Sequence, residues 1–460
     1  MTVQTAIALP NPALGQDPAK VEGIGFFGLF RGARRDPLHF FLRAAEGEKI
    51  VEFPNPLGRF FLVNDPEYVG RILQHNYRNY PKSTYYERVR PIFGDGLFEL
   101  EGTAWRRKRQ TVQPAFHKER IEALTSMMIE EIERLLDGWQ AHREAGTSLD
   151  IVPPLMQMTF RIITRALCGA DIPGDTDTLT ESLTVIMRAG ERILWSPLPF
   201  LYHIPSAHKA RLKRALNTFD TMIYALIKKR QESDERHDDL LDMLLAVRDP
   251  ETGQPLSYKE LRDDLMTLLI AGHETTGQAI AWACYLLSKH PHVLRKLRAE
   301  NREILGDRRP GLSDLDAMSY HLMVIQETLR LYPTFWTLSR RAENDDTLGP
   351  YHIPAGSTLM VSPYVIHRNP SIWYNPEGFD PERFASQDPR SQFAYIPFGG
   401  GPRVCIGKNF ALMEAQLCLA MLLQRFRLEL VPGYKTEPRT MISLRSSHGI
   451  RMAIKPPDKI

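Results

Sequence analysis

The sequence is poor in cysteine, has almost no surplus of either charge, and contains no apolar run long enough to cross a bilayer. Its four cysteines, Cys168, Cys284, Cys405 and Cys418, include no Cys-x-x-Cys pair, and a chain of 460 residues does not need disulfide staples. A reduced cytoplasmic location is expected. The 58 Lys and Arg against 55 Asp and Glu leave a formal charge of +3, which supports no global argument for nucleic acid, and no basic tail or aromatic-rich RNA motif is present. Residues 1–20 have no basic region followed by an apolar core, so they read as a flexible leader rather than a signal peptide. The most apolar stretches, 21–30 and 411–423, are too short or too polar for a transmembrane anchor, since Glu414 and Gln416 interrupt the second. The Gly-Phe-Phe-Gly-Leu-Phe run at 25–30 reads as packing against the body of the protein, with contact to a membrane surface or a pocket mouth as the alternative.

Length alone would allow two or three domains, and no internal repeat or long low-complexity segment is present. Lys49 to Phe53 and Arg59 to Val63 read as two short strands around the turn Asn55-Pro56-Leu57-Gly58. From about Glu67 to Leu297 apolar residues recur at spacings of three and four, which predicts helices. One helix opens at the capping box Ser257-Tyr-Lys-Glu260 and runs past Leu287 to stop before Pro291. At roughly thirty residues it exceeds a typical globular helix and implies a spine through the core. A second spans about Tyr320 to Leu331, before Pro333. Residues 334–396 are rich in Pro and aromatics with short β-like runs such as 358–361, and a last helix starts just after Cys405. Strands, then many helices, then strands and coil, with no βαβ rhythm, predict a mainly α protein with small β-sheets (α+β).

The most informative segment is Phe398-Gly-Gly-Gly-Pro-Arg-Val-Cys-Ile-Gly407. Consecutive glycines at 399–401 permit positive φ and let backbone pass close to a flat ligand. Gly407 removes a side chain where the next element meets that ligand. Cys405 stands at a helix start, where unpaired amides and the helix dipole favour a thiolate, the form that binds metal. Arg403 can reach a carboxylate on the same ligand. A phosphate-cradling loop is the competing reading, but the segment lacks the Lys-Ser/Thr ending and the Gly-x-Gly-x-x-Gly spacing. Cys168, Cys284 and Cys418 read as small buried hydrophobes. At every fixed position the ten residues resemble the haem-binding signature Phe-x-x-Gly-x-Arg-x-Cys-x-Gly of the cytochrome P-450 superfamily. The resemblance implies haem b (iron protoporphyrin IX), with Cys405 on the iron and Phe398, Gly401, Arg403 and Gly407 as cofactor contacts. In that family the thiolate pushes electron density onto the iron and favours O–O cleavage.

The long helix carries Ala271-Gly-His-Glu-Thr-Thr276. Small residues at 271 and 272 leave room for a ligand, and Thr275 can bond to the carbonyl four residues back, bending the helix and opening a groove. Glu274 and Thr275 form an adjacent acid and alcohol suited to relaying protons. A self-satisfied threonine beside a solvated glutamate is the simpler reading of those two alone. The six residues resemble the superfamily's oxygen-activation motif, Ala/Gly-Gly-x-Asp/Glu-Thr-Thr, which implies Thr275 and Glu274 as catalytic and Ala271 against the cofactor. Glu327 and Arg330, at i and i+3, resemble the family's Glu-x-x-Arg helix. Pro381-Glu-Arg-Phe384 resembles the segment whose arginine, Arg383, joins that pair, and the implied role of all three is structural. Trp105-Arg-Arg-Lys-Arg109 resembles the Trp-x-x-x-Arg helix, whose two named residues lie one turn apart and can both meet a haem propionate. Arg340 is a further expected propionate partner, with Arg341 as its rival. His367 is expected in a structural hydrogen bond rather than on a metal.

The resemblance runs from about Gly96 to the last strand region. It implies a single haem domain over residues 21–460 and a monooxygenase that inserts one oxygen atom of O2 into an unactivated C–H or C=C bond. No flavin, nicotinamide or iron–sulfur motif is present, so a separate ferredoxin or flavodoxin system is the expected electron donor. Arg106, Arg107, Lys108, Lys118, Arg120 and Lys408 are expected near the cysteine side, where a positive face would attract an acidic carrier. Expected pocket walls are the loop 84–98, Thr267, Ile270, Phe335, Trp336, Leu338 and the turn 441–444. Their apolar character predicts a hydrophobic small-molecule substrate: a terpenoid, fatty acid or polyketide. A peroxygenase or isomerase of the same fold, which has no need of the acid–alcohol pair, and a non-catalytic haem sensor are the alternatives.

Overall fold

Residues that alternate between two apolar environments build the main sheet of this computed structural model, which describes residues 17–21, 28, 31–32, 35–55, 58–169, 176–194, 196, 206–232, 239–248, 253–386 and 392–457. Strands β1 (Ala19–Lys20), β2 (Ile50–Phe53), β3 (Phe60–Val63), β4 (Leu338–Arg341) and β5 (Thr358–Val361) pair in the order β1-β2-β3-β5-β4. The β2–β3 pair is antiparallel, with Val51 opposite Leu62, and β3 runs parallel to β5, with Val63 opposite Val361. Ile50, Phe61, Val63, Leu359 and Val361 enter one buried cluster, whereas Val51, Phe53, Leu62 and Met360 enter another that includes Trp336. The period of two thus buries both faces of the sheet. Both predicted strands begin one residue later than expected. Pro56 and Leu57 of the predicted turn, and the run at 25–30 apart from residue 28, lie outside the described residues, as do residues 1–16 of the leader.

The helical stretch forms α1 (Gly102–Val112), α2 (Thr125–Glu144), α3 (Val152–Cys168), α4 (Thr176–Leu194), α5 (Ala207–Glu232), α6 (Tyr258–Lys289) and α7 (Pro291–Leu305). A three-residue strand, Ser148–Asp150, interrupts it and pairs with Arg451–Lys455; so short a strand leaves no readable alternation. Helix α6 is the expected spine. Its capping box is formed, Ser257 Oγ accepting from the Glu260 amide at 3.2 Å and Glu260 Oε2 from the Ser257 amide at 2.9 Å. It is buried along most of its 32 residues, as a helix with apolar residues all round must be. It packs against α3, α5, α8 (Ser319–Leu331) and α9 (Lys408–Arg425). A C-terminal hairpin, β6 (Pro438–Thr440) and β7 (Leu444–Ser446), closes the fold over α6. Among the described residues no helix is long and apolar enough to cross a membrane.

Candidate functional site

The cysteine loop is closed by its own backbone: the Cys405 amide donates to the Phe398 carbonyl at 2.9 Å and the Val404 amide to Gly401 at 3.0 Å. Gly401 sits at φ +66°, and a Cβ there would collide with the Leu73 carbonyl oxygen, so only glycine lets the loop lie this close to the rest of the chain. Cys405 is exposed to the space in front of it, and α9 begins three residues later. Its packed surroundings nonetheless raise the pKa of its thiol, opposed by the Gly407 amide and by the charges of Arg109 and Lys408. A bound metal cation would add to those opposing groups and hold the sulfur as the thiolate. Among the described residues no cluster of His, Cys, Asp and Glu could hold a metal ion.

Arg109 lies near the sulfur, and further cations gather around Arg403. Arg109 Nη1 donates to the Val404 carbonyl at 3.0 Å. Arg403 lies over the buried Trp105 ring at 4.2 Å, donates to the Leu100 carbonyl and pairs with Glu101. Arg340 is buried and Arg341 exposed, so of the two rivals only Arg340 faces inward. Lys82, which no motif flagged, joins them: its backbone bridges to Arg340, and its Nζ donates to the Phe98 carbonyl and itself lies 3.9 Å from Glu101 Oε1. Burial, reinforced by Arg403, brings Lys82 down to about 7, and burial lowers Arg403 to about 10. Burial also raises Glu99 to about 7. Arg403, Arg340 and Lys82 crowded around Glu101 make a donor set that fits a ligand carrying further carboxylates, as the two propionates of haem would.

Helix α6 lines a space of about 90 Å³ whose other walls include Val89, Phe93, Phe98, Met187 and Leu194. Thr267, Ile270, Ala271, Glu274, Thr275, Phe335 and Trp336 all line it. Leu338 does not: it packs toward the sheet cluster and lies 3.9 Å from where a Gly399 Cβ would be. Thr275 Oγ1 donates to the Ala271 carbonyl at 2.8 Å, as its position predicts. Gly272 corrects the expectation that both small residues make room for a ligand. A Cβ there would stand 2.7 Å from Ile163 Cγ1, so Gly272 serves the approach of α3 and only Ala271 faces the pocket.

Glu274 is not solvated. It is 1% exposed and its Oε1 accepts from Ser443 Oγ and Arg445 Nε, while Oε2 is buried with no partner among the described residues. Burial pushes its carboxyl up, but Arg445 and Ser443 outweigh it and hold the pKa below the ordinary range. Sequence reasoning missed both partners, because a pairing across 171 residues has no local pattern. Lys108 is a further correction: it is buried and paired with Asp264 at 2.7 Å, leaving Arg106, Arg107, Lys118, Arg120 and Lys408 exposed.

Glu327, Arg330 and Arg383 come together as predicted. Arg330 Nε and Nη2 reach Glu327 at 2.7 and 2.9 Å, and Arg383 Nε reaches it at 3.0 Å. His367 accepts from the Ile396 amide at Nε2 and meets the Arg330 carbonyl at Nδ1, so Nδ1 carries the proton. Burial holds this ring neutral, with a pKa of about 3.

A sequence profile described as Cytochrome P450 matches residues 25–453. The chain is 34% identical over 430 residues to the cyclooctatin synthase of Streptomyces melanosporofaciens, covering 92% of each protein. It is 33% identical over 402 residues to cyclooctat-9-en-7-ol 5-monooxygenase of the same organism, covering 87% of this chain and 86% of that one. Its structure is similar to the crystal structure of the cytochrome P450DA heme domain, with a TM-score of 0.85, 25% identity and coverage of 97% and 98%.

Proposed function

The chain belongs to the cytochrome P450 family and is a haem-dependent monooxygenase, and on that premise we propose that Cys405 holds haem b and that the pocket oxidises a terpenoid. The observation that carries the reading is the Cys405 sulfur, open on one side, amide-supported by Gly407 and next to Arg109. When bound, haem supplies the activation of O2 and the insertion of one oxygen atom into a C–H or C=C bond. Arg403, Arg340 and Lys82 would hold its propionates, with Trp105 and Arg109 supporting the loop side. Ala271 would leave room for it, and Phe398 and Gly401 would shape the loop that carries Cys405. Thr275 has committed its hydrogen to the Ala271 carbonyl, which leaves its oxygen to accept a hydrogen bond from a neighbour. Glu274 supplies the buried acid beside it. A peroxygenase, an isomerase or a sensor has no use for such an acid.

The walls are mostly apolar, which supports a hydrophobic substrate, and a relative named for oxidising cyclooctat-9-en-7-ol supports a terpene skeleton over a fatty acid or polyketide. A single haem domain from about residue 21 accounts for the profile match over 25–453. Electrons come from a separate ferredoxin or flavodoxin system docking on the basic face, and the enzyme works in the cytoplasm. The test is spectral. The reduced protein with carbon monoxide should show the red-shifted Soret band of thiolate ligation, and Cys405→Ser should abolish it. A band that survives the substitution sinks the assignment.

A further inference from the structure

The acid of the pocket is held from outside its own motif. Hairpin β6–β7 brings two donors, the Ser443 hydroxyl and the Arg445 guanidinium, to a single oxygen of Glu274. Both partners are themselves shielded, Ser443 at 1% exposure and the Arg445 side chain at 15%. Oε1 is therefore saturated. Oε2 is buried, has no partner among the described residues, and belongs to a residue lining the pocket beside Thr275 and Ser443. The carboxylate is divided into one fixed oxygen and one working oxygen.

We propose that Arg445 and Ser443 are positioning residues for oxygen activation: they keep Glu274 ionised and fixed through Oε1, so that protons pass through Oε2 alone. This rests on reading Glu274 as the proton carrier. A proton taken up at Oε2 from water leaves from the same oxygen, and the carboxylate returns to its paired state. An unpaired carboxylate in so buried a place would instead take up a proton permanently. The charged groups around it are few. His273, next on α6, is buried and held near a pKa of about 4 by desolvation, so it is neutral. Glu191 of α4 faces Arg445 and Glu274, with Arg439 and Arg192 near it, and burial raises its pKa. Arg445 is thus the one cation bonded to Glu274 among the described residues.

A plain structural tie between hairpin and helix would give the same contacts, so the test reads the charge of Glu274 itself. Infrared spectra of the haem-loaded enzyme, taken as differences against Glu274→Gln, report the protonated carboxyl band. The wild type should lack that band near neutral pH. Arg445→Met should show it, its midpoint shifted up by about 3 pH units or more, because only Ser443 then opposes burial. Arg445→Lys should restore the ionised form, and Ser443→Ala should shift the midpoint part of the way. A protonated Glu274 in the wild type, or an ionised one in Arg445→Met, overturns the proposal. Should Arg445→Met fail to fold, an unshifted midpoint in Ser443→Ala overturns it instead. The coupling of electron use to product in Glu274→Gln tests the proton carrier separately. Full coupling there removes that role from Glu274 while leaving the titration result standing.

Discussion

Glu327 serves four donors with two oxygens. Oε1 accepts from Arg330 Nη2, the Asp380 amide and Arg383 Nε, and Oε2 from Arg330 Nε. Arg330 also donates to the carbonyls of His367, Pro376 and Gly378, and its pair with Glu327 is 0% exposed on both sides. Glu327→Ala would strand two guanidinium groups in the interior, so a loss of about 3–5 kcal/mol is expected. Denaturant unfolding of the haem-loaded protein measures it, and a loss typical of a surface pair, below about 1 kcal/mol, would contradict the buried geometry. The sequence spacing was enough to pair Glu327 with Arg330. Arg383 followed only from the resemblance, because 56 residues separate it from Glu327. The carbonyl acceptors could not be read at all, since the coil that carries them has no periodicity.

Helix α6 shows the same divide between local and distant information. Its start, its stop and its length follow from Ser257, Glu260 and Pro291, which act within a turn or two. Which neighbour each face meets depends on other elements, and there the reading erred at Gly272. Gly272→Val should destabilise the protein by about 1–3 kcal/mol through overpacking against Ile163. Ala271→Val, one residue earlier, should leave unfolding nearly unchanged and weaken the spectral response to substrate. If the two variants exchange these effects, the faces of α6 have been assigned the wrong way round. Arg445 escaped notice for the same reason as Lys82, each approaching the site from an element with no motif of its own; Ser443 stands in the expected pocket turn 441–444, but its bond to Glu274 was not legible there.

Across the whole molecule, a formal charge of +3 conceals an uneven distribution. Arg106, Arg107, Lys118, Arg120 and Lys408 stay exposed while Lys108 turns inward, and Arg109 ties α1 to the cysteine loop. Reduction by an acidic ferredoxin should therefore slow as salt is raised past about 0.1 M, where the screening length falls to about 10 Å. The double charge reversal Arg106→Glu and Lys408→Glu should slow it several-fold without moving the carbon monoxide band; stopped-flow reduction measures both. Insensitivity to salt and to charge reversal would place the docking face elsewhere. The parallel pairing of Val63 with Val361 also bears on how the polypeptide emerges during synthesis. Strands β2 and β3 leave the ribosome early, yet the edge of β3 stays bare until Thr358–Val361 follow. A product truncated between them would present that open edge to other molecules, and aggregation rather than partial activity is its natural fate.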